Sequence, residues 1–167
     1  LSSISKTETK NLDVWLMGQQ ELIQSFTRNS NSDISIIEGV MGYYDGFGGN
    51  SNLASTHHVA TLLKSPVILI LDASKTSRSI AATALGFTKF HKNSRISGII
   101  LNKIGSKKHE NLCRSALSSL KIPIIGVIPK NPSVNLESRH LGLIPVREQK
   151  QLHNKIKQLS KEISDYL

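Results

Sequence analysis

Two carboxylates, Glu38 and Asp45, stand in a stretch where glycine occupies positions 39, 42, 46, 48 and 49. Acids beside accessible backbone N–H groups suit a hard divalent cation and an oxyanion. Mg²⁺ prefers carboxylate and water oxygens and usually meets a protein through one or two acids plus substrate phosphates. Glycines let backbone amides come close to a bulky or anionic ligand. The plainer alternative is a mobile glycine loop carrying two solvated acids.

A second constellation is Asn102-Lys103-Ile104-Gly105. The Asn102 amide pairs a donor with an acceptor and matches the N6/N7 edge of adenine, with Lys103 and Gly105 in the same exit loop. An Asn closing a strand also serves as a turn-former. Ser55-Thr56 opens a helix, where free N–H groups can receive a phosphate or a substrate carboxylate; ordinary capping explains the pair equally well. Arg78, between two serines, and Arg139-His140 offer positive charge to an anionic substrate. The remaining histidines show no metal-ligand spacing, and Cys113 falls in a helical stripe as a small apolar group. Neither a G-x-x-x-x-G-K-[ST] phosphate loop nor a cysteine on a strand-to-helix elbow occurs. A nucleotide enzyme of this layout would draw its phosphate loop from residues preceding Leu1.

Positioning these groups requires strands that end on them. Ile34, Ile36 and Ile37 read as a buried strand closing on Glu38. Val67 to Leu71 is a continuous apolar run ending on Asp72, the mark of a strand covered on both faces. Ile96 to Leu101 ends on Asn102, and Ile124 to Ile128 lies between two prolines. Helices are expected from Asp13 as N-cap, with Trp15, Leu22 and Phe26 on one stripe; from Ser55-Thr56; from Ser77 or Ser79, with Ile80, Ala84 and Phe87 inward; and from Ser106, with Leu112, Ala116, Leu117 and Leu120 inward. A terminal helix carries Leu152, Ile156, Leu159 and Ile163. Four strand-plus-helix units in series predict an α/β fold: a mostly parallel sheet with helices on both faces and right-handed crossovers.

A length of 167 residues suits one domain with a real core, and 20% charged residues with dispersed apolar runs argue for a folded globule. The net charge of +9 points to an anionic partner, or to lysines solvating two helix surfaces. Nucleic acid is disfavoured, because neither an aromatic platform nor a basic recognition helix accompanies the charge. With one cysteine there is no internal disulfide framework. No run approaches the roughly 18 apolar residues of a membrane span, and the first residues lack a signal-peptide core, so a cytoplasmic protein is expected.

Glu38-Gly-Val-Met-Gly-Tyr-Tyr-Asp45-Gly resembles the signature of cobyrinic acid a,c-diamide synthases, members of the dethiobiotin synthetase-like group with a P-loop NTPase fold. Asn11-Leu12-Asp13-x-Trp15, Ser55-Thr56 before Val59-Ala60, Ser77-Arg78-Ser79, Gly98 through Asn102-Lys-Ile-Gly105, and Arg139-His140-Leu-Gly-Leu143 agree in order. The likeness runs over residues 11–147. Dethiobiotin synthetase and cobyric acid synthase typically carry Glu-Gly-Ala-Gly in the first motif, so Val40-Met41 and Asp45 favour the a,c-diamide enzymes. His57 and Ser138 depart from the pattern, which commonly has a small residue and a Glu there.

The resemblance implies one partial synthetase domain over residues 1–167, with the phosphate loop and a glutaminase domain lying outside the chain. It implies an ATP- and Mg²⁺-dependent amidation of a corrinoid polycarboxylate through an acyl phosphate, with ammonia derived from glutamine. Glu38 and Asp45 would hold metal or orient the reacting carboxylate, and Asn102 would meet adenine. It leaves room for a homodimer. A non-catalytic ligand-sensing module on the same fold is the alternative.

Overall fold

The computed structural model describes residues 7–130 and 149–164. Arg139, His140, Ser138 and the irregular segment 136–145 lie outside the described residues. The chain divides into two compact units, residues 1–67 with 86–96, and residues 68–85 with 97–167.

The first unit is built around helices α1 (Val14–Asn29) and α2 (Thr56–Leu62). Asp13 caps α1 as its sequence position suggests, its carboxylate accepting from the N–H groups of Trp15 and Leu16 at 2.8 and 3.2 Å. Inside α1 the backbone breaks at Gly18, whose φ of 76° is open to glycine and strained for other residues. The break shifts the apolar face. Val14 and Leu22 enter the core with Val59, whereas Trp15, expected inward, is exposed and stacks on Phe47 with ring centroids 4.3 Å apart.

The expected strand Ile34–Glu38 does not form: residues 34–40 hold no regular secondary structure, and Ile34 and Ile36 are exposed. Extended backbone becomes a strand only when its N–H and C=O groups find a neighbouring chain. Sequence pattern reports the apolar run and not the neighbour.

The second unit holds a three-stranded sheet in the order β1-β2-β3, with β1 at Val67–Asp72, β2 at Ile96–Ile104 and β3 at Ile124–Pro129. β2 and β3 pair in parallel. Beside β1, Ala73 N–H donates to the Asn102 carbonyl and Val67 N–H to that of Arg95, a register that advances in the same direction on both strands. Helix α3 (Ser79–Lys89) connects β1 to β2, and α4 (Lys107–Leu117) with a 3₁₀ turn at Ser118–Leu120 connects β2 to β3. These are βαβ units, as the alternation of apolar runs predicts. A terminal helix, α5 (Gln149–Ile163), follows.

The core of this unit comprises Leu69, Leu71, Ile80, Ala84, Ile99, Leu101, Ile104, Cys113, Leu117 and Val127. Two details depart from expectation. Ile68 and Ile70 are exposed, so β1 is covered on one face among the described residues: it occupies an edge of the three-stranded sheet, and its alternating side chains meet a core on one side only. On α4 the buried positions are Cys113 and Leu117, while Leu112 points to solvent. Lys107 and Arg114 on the same helix pair with Glu110 at 2.8 and 2.7 Å, which absorbs part of the basic excess in a helix-surface network.

Candidate active site

In the first unit the glycine loop is organised by a tight turn. Asp45 N–H donates to the Gly42 carbonyl at 2.9 Å, and Gly42 N–H donates to Asp45 Oδ2 at 3.0 Å. A Cβ at residue 42 would lie 2.3 Å from that same oxygen, so only glycine lets the carboxylate fold onto its own loop. One oxygen of Asp45 is thereby fixed, and the side chain remains exposed. Glu38 is exposed and makes no hydrogen bond or ion pair among the described residues. An unneutralised carboxylate on an ordered scaffold contributes little to folding and is available to a cation.

The loop passes close to the start of α2, where a Cβ at Gly39 would meet the Thr56 side chain at 2.8 Å. Thr56 thus lies directly beside the Glu38-Gly39 segment. Ser55 is buried and engaged in capping: its hydroxyl donates to the Asn52 carbonyl at 2.7 Å and accepts from His58 N–H at 3.1 Å. Behind the turn, Tyr44 packs against Phe87 and Phe90 and donates its hydroxyl hydrogen to the Phe87 carbonyl at 2.6 Å.

In the second unit the exits of β1 and β2 carry polar groups. β2 runs on to Ile104, past the expected end at Leu101, because it bulges: Leu101 pairs with Val127 and Ile104 with Pro129, so β2 spends one more residue than β3. Lys103 sits in the bulge at φ 61°, a left-handed conformation that costs a side-chain-bearing residue on the order of 1 kcal/mol. The kink turns Lys103 toward β1, where its Nζ meets Asp72 Oδ2 at 2.6 Å. Asp72 Oδ1 accepts from Ser74 N–H at 2.9 Å. The Lys103 ammonium, followed by the hydrogen bonds from Ser74, holds the Asp72 carboxyl well below the usual carboxylate range.

Asn102 Oδ1 accepts from Lys103 N–H at 2.9 Å, which leaves the amide NH₂ as its spare donor. Gly105 N–H donates to His109 Nδ1 at 3.2 Å, and His109 Nε2 lies 2.6 Å from the Thr76 carbonyl. With Nδ1 accepting, the neutral ring carries its proton on Nε2 and donates to Thr76. His109 therefore fastens the loop after β2 to the loop after β1. Arg78 is exposed and has no ion pair among the described residues.

The Asp72–Lys103 pair and the His109 bridge escaped the sequence reading. A usable signal existed: Asp72 and Asn102-Lys103 close adjacent apolar runs, and parallel neighbours bring such ends together. The sign of the pH effect follows from the depressed carboxyl. Its contribution to stability is fully present above the unfolded value near 4 and disappears as pH falls toward the folded value. Because both side chains are half exposed, Asp72→Asn is expected to change stability by no more than about 1 kcal/mol. Its larger effect is expected on the mobility of Lys103, measurable as loss of the ordered Lys103 Nζ environment by NMR above pH 5; an unchanged Lys103 signal would contradict the pairing.

A parallel α/β chain with polar groups at the ends of β1 and β2 is of the AAA-domain, P-loop NTPase-like class, and a family model described as an AAA domain matches residues 6–138. Within that class the chain belongs to the family of cobyrinate and hydrogenobyrinate a,c-diamide synthases. It is 46% identical over 140 residues to hydrogenobyrinate a,c-diamide synthase of Streptomyces coelicolor, a match covering 83% of this chain and 29% of that protein. It is 39% identical over 158 residues to cobyrinate a,c-diamide synthase of Synechococcus sp., covering 94% and 35%. It is also 39% identical over 168 residues to cobyrinate a,c-diamide synthase of Listeria innocua, covering 99% and 37%. The chain thus spans about a third of the length of the curated relatives it matches. No solved structure matches it significantly.

Proposed function

We propose that this chain is the part of an ATP- and Mg²⁺-dependent amidoligase that helps to activate the a and c carboxylates of a cobyrinic-acid-type corrinoid, with ammonia derived from glutamine. The observation that carries this reading is the exposed, unpartnered Glu38 in one loop with the turn-fixed Asp45, in a chain whose relatives are named for the a,c-diamide product.

The donor set fits a hydrated magnesium ion. Among the described residues no group of three or more His, Cys, Asp or Glu side chains could enclose a metal. Two exposed acids suit a cation that keeps several waters and completes its shell with phosphate oxygens. Bound ATP and Mg²⁺ would supply the phosphoryl group and the charge neutralisation that make a carboxylate reactive toward ammonia.

The chain's own residues would position and neutralise. Glu38 and the free oxygen of Asp45 would hold the cation, while the Gly42 N–H keeps the Asp45 carboxylate from rotating away. The Asn102 NH₂ would meet an adenine acceptor, with Lys103 and Gly105 held in place by Asp72 and His109. Thr56 beside Gly39, and the unpaired Arg78, would offer a hydroxyl and a positive charge to substrate carboxylates. Ser55, already committed to its cap, would act by fixing the start of α2. Arg139 and His140 are retained as substrate-binding candidates from their sequence positions alone. Positioning of this kind needs no side-chain nucleophile.

The test uses a full-length synthase carrying this sequence, supplied with cobyrinic or hydrogenobyrinic acid, ATP, Mg²⁺ and glutamine. Amidated corrinoid is expected by mass spectrometry, with phosphate release that depends on the corrinoid. Unmodified corrinoid, or phosphate release indifferent to its presence, would refute the reading. The 167-residue chain alone is expected to show no amidation and at best weak nucleotide binding.

A further inference from the structure

Trp15 and Phe47, on separate segments of the first unit, stack on each other with ring centroids 4.3 Å apart and planes inclined by 21°, yet they remain 57% and 60% exposed. Stacking normally accompanies burial, because large aromatic surfaces left in water are unfavourable. A pair that is assembled and still open to solvent marks a place of contact with another molecule or segment.

Both rings stand on backbone that the chain itself fixes. Trp15 occupies the first turn of α1, where its N–H donates to the capping carboxylate of Asp13 at 2.8 Å. Phe47 N–H donates to the Leu53 carbonyl at 2.7 Å, and a Cβ at residue 46 would lie 2.3 Å from that same oxygen, so the glycine there is what lets the loop close. The turn from Gly42 to Asp45 leads straight into this closure. Across so short a stretch the Asp45 and Phe47 Cα atoms are separated by no more than about 7 Å. The aromatic stack and the acid site therefore belong to one tied loop.

The other side chains of the loop decide what can rest there. Between Glu38 and Asp45 it exposes Val40 at 93% and Met41 at 67%, so carboxylates and large apolar groups interleave along one solvent-facing segment. A wholly polar ligand would gain nothing from the apolar groups, and a wholly apolar one would bury acids without neutralising them. The complement is an apolar body carrying short carboxylate arms, with a cation between arm and acids.

We infer that the Trp15–Phe47 stack is the platform on which the apolar ring system of the corrinoid rests while one of its carboxylates is presented to Glu38 and Asp45, a role that rests on the amidoligase reading above. The a and c carboxylates hang from the macrocycle by a single methylene. A carboxyl group brought to a cation held by these acids therefore carries the ring edge with it, and the ring must find support within reach of that short arm. Of the aromatic side chains flanking Asp45, Tyr44 is taken up by Phe87 and Phe90, which leaves Phe47, backed by Trp15, for the contact. Such a platform holds the ligand alike before and during the reaction, so its loss is felt in corrinoid affinity and not in turnover.

The test uses a full-length synthase carrying this sequence and cobyrinic acid as the probe, in equilibrium dialysis without ATP, the bound fraction being read from the visible absorbance of the corrin. Trp15→Ala and Phe47→Ala are each expected to weaken binding by at least about tenfold, the scale of truncating an aromatic contact. Trp15→Phe, which keeps a ring, should restore most of it. Melting temperatures and ATP binding should stay near those of the parent, because both side chains are exposed. Leu112→Ala, which truncates an exposed apolar side chain on α4, should leave corrinoid binding unaltered. Binding unaltered in both ring variants, or no corrinoid binding at all, would overturn the inference. So would a Tm lowered by several degrees with affinity retained, which would mean that another part of the protein covers the stack, and a loss confined to ATP, which would assign the stack to the nucleobase. The two readings fail separately: corrinoid bound through the stack but never amidated would leave the platform and refute the activity, and amidation with affinity indifferent to both rings would do the reverse.

Discussion

Glu38→Gln and Asp45→Asn, introduced singly into a full-length synthase carrying this sequence, are expected to lower turnover by about 10²–10³-fold, the scale on which removal of one preorganised electrostatic group acts. Neither should cost much stability. Glu38 has no partner among the described residues, so neutralising it removes nothing from the fold. Asp45 accepts one N–H, from Gly42, and the amide oxygen of an asparagine can accept the same bond. Melting temperatures should stay within about 2 °C of the parent, as for exposed substitutions of a few tenths of a kcal/mol. The checking measurement is kcat beside a thermal melt for each variant. Turnover and Tm falling in proportion would show that the acids hold the loop together, and the proposed metal role would be abandoned.

The largest stability effect is expected at Leu101. It is fully buried on β2, two residues before Lys103, and pairs in register with Val127. Leu101→Ala removes buried methyl groups and leaves a cavity that close-packed neighbours only partly fill, costing about 2–5 kcal/mol. For a chain of this size Tm should fall by on the order of 10 °C. Ile68→Ala is the matched control: Ile68 is 54% exposed on β1, and its truncation should cost less than about 1 kcal/mol. Equal destabilisation by the two variants would mean that the outer face of β1 is covered in solution. Because Leu101 anchors the strand that bulges at Lys103, Leu101→Ala should also loosen the Asp72–Lys103 pair, whereas Ile68→Ala should not.

Much of the fold was legible because its signals are local. Asp13, Ser55 and Ser106 all cap helices, and in each case a short oxygen side chain satisfies N–H groups two or three residues on. The apolar runs at Val67, Ile96 and Ile124 all pair in one sheet, since strands this hydrophobic can hide only against one another and under helices. The Glu38-to-Asp45 motif pointed to the family that the relatives bear out.

The misplacements share a cause in residues that sequence proximity does not connect. The spacing of Trp15, Leu22 and Phe26 puts Trp15 on a buried stripe only if the helix is unbroken, and Gly18 breaks it. The segment from Ile34 has the composition of a strand, yet pairing belongs to a neighbour. The burial of His57 likewise emerges only when Tyr43, Tyr44 and His91 close around it.

The amino-acid order by itself determined where helices start, which runs lie in a sheet and that the chain carries the diamide-synthase signature, because capping, periodicity and motif spacing operate over a few residues. The tertiary structure alone decided that Lys103 reaches Asp72, that His109 joins two exit loops, and that Tyr43, Tyr44 and His91 enclose His57. Those outcomes depend on strand register, a one-residue bulge and the burial of rings from separate segments, and none of these quantities is fixed until distant parts of the chain pack together.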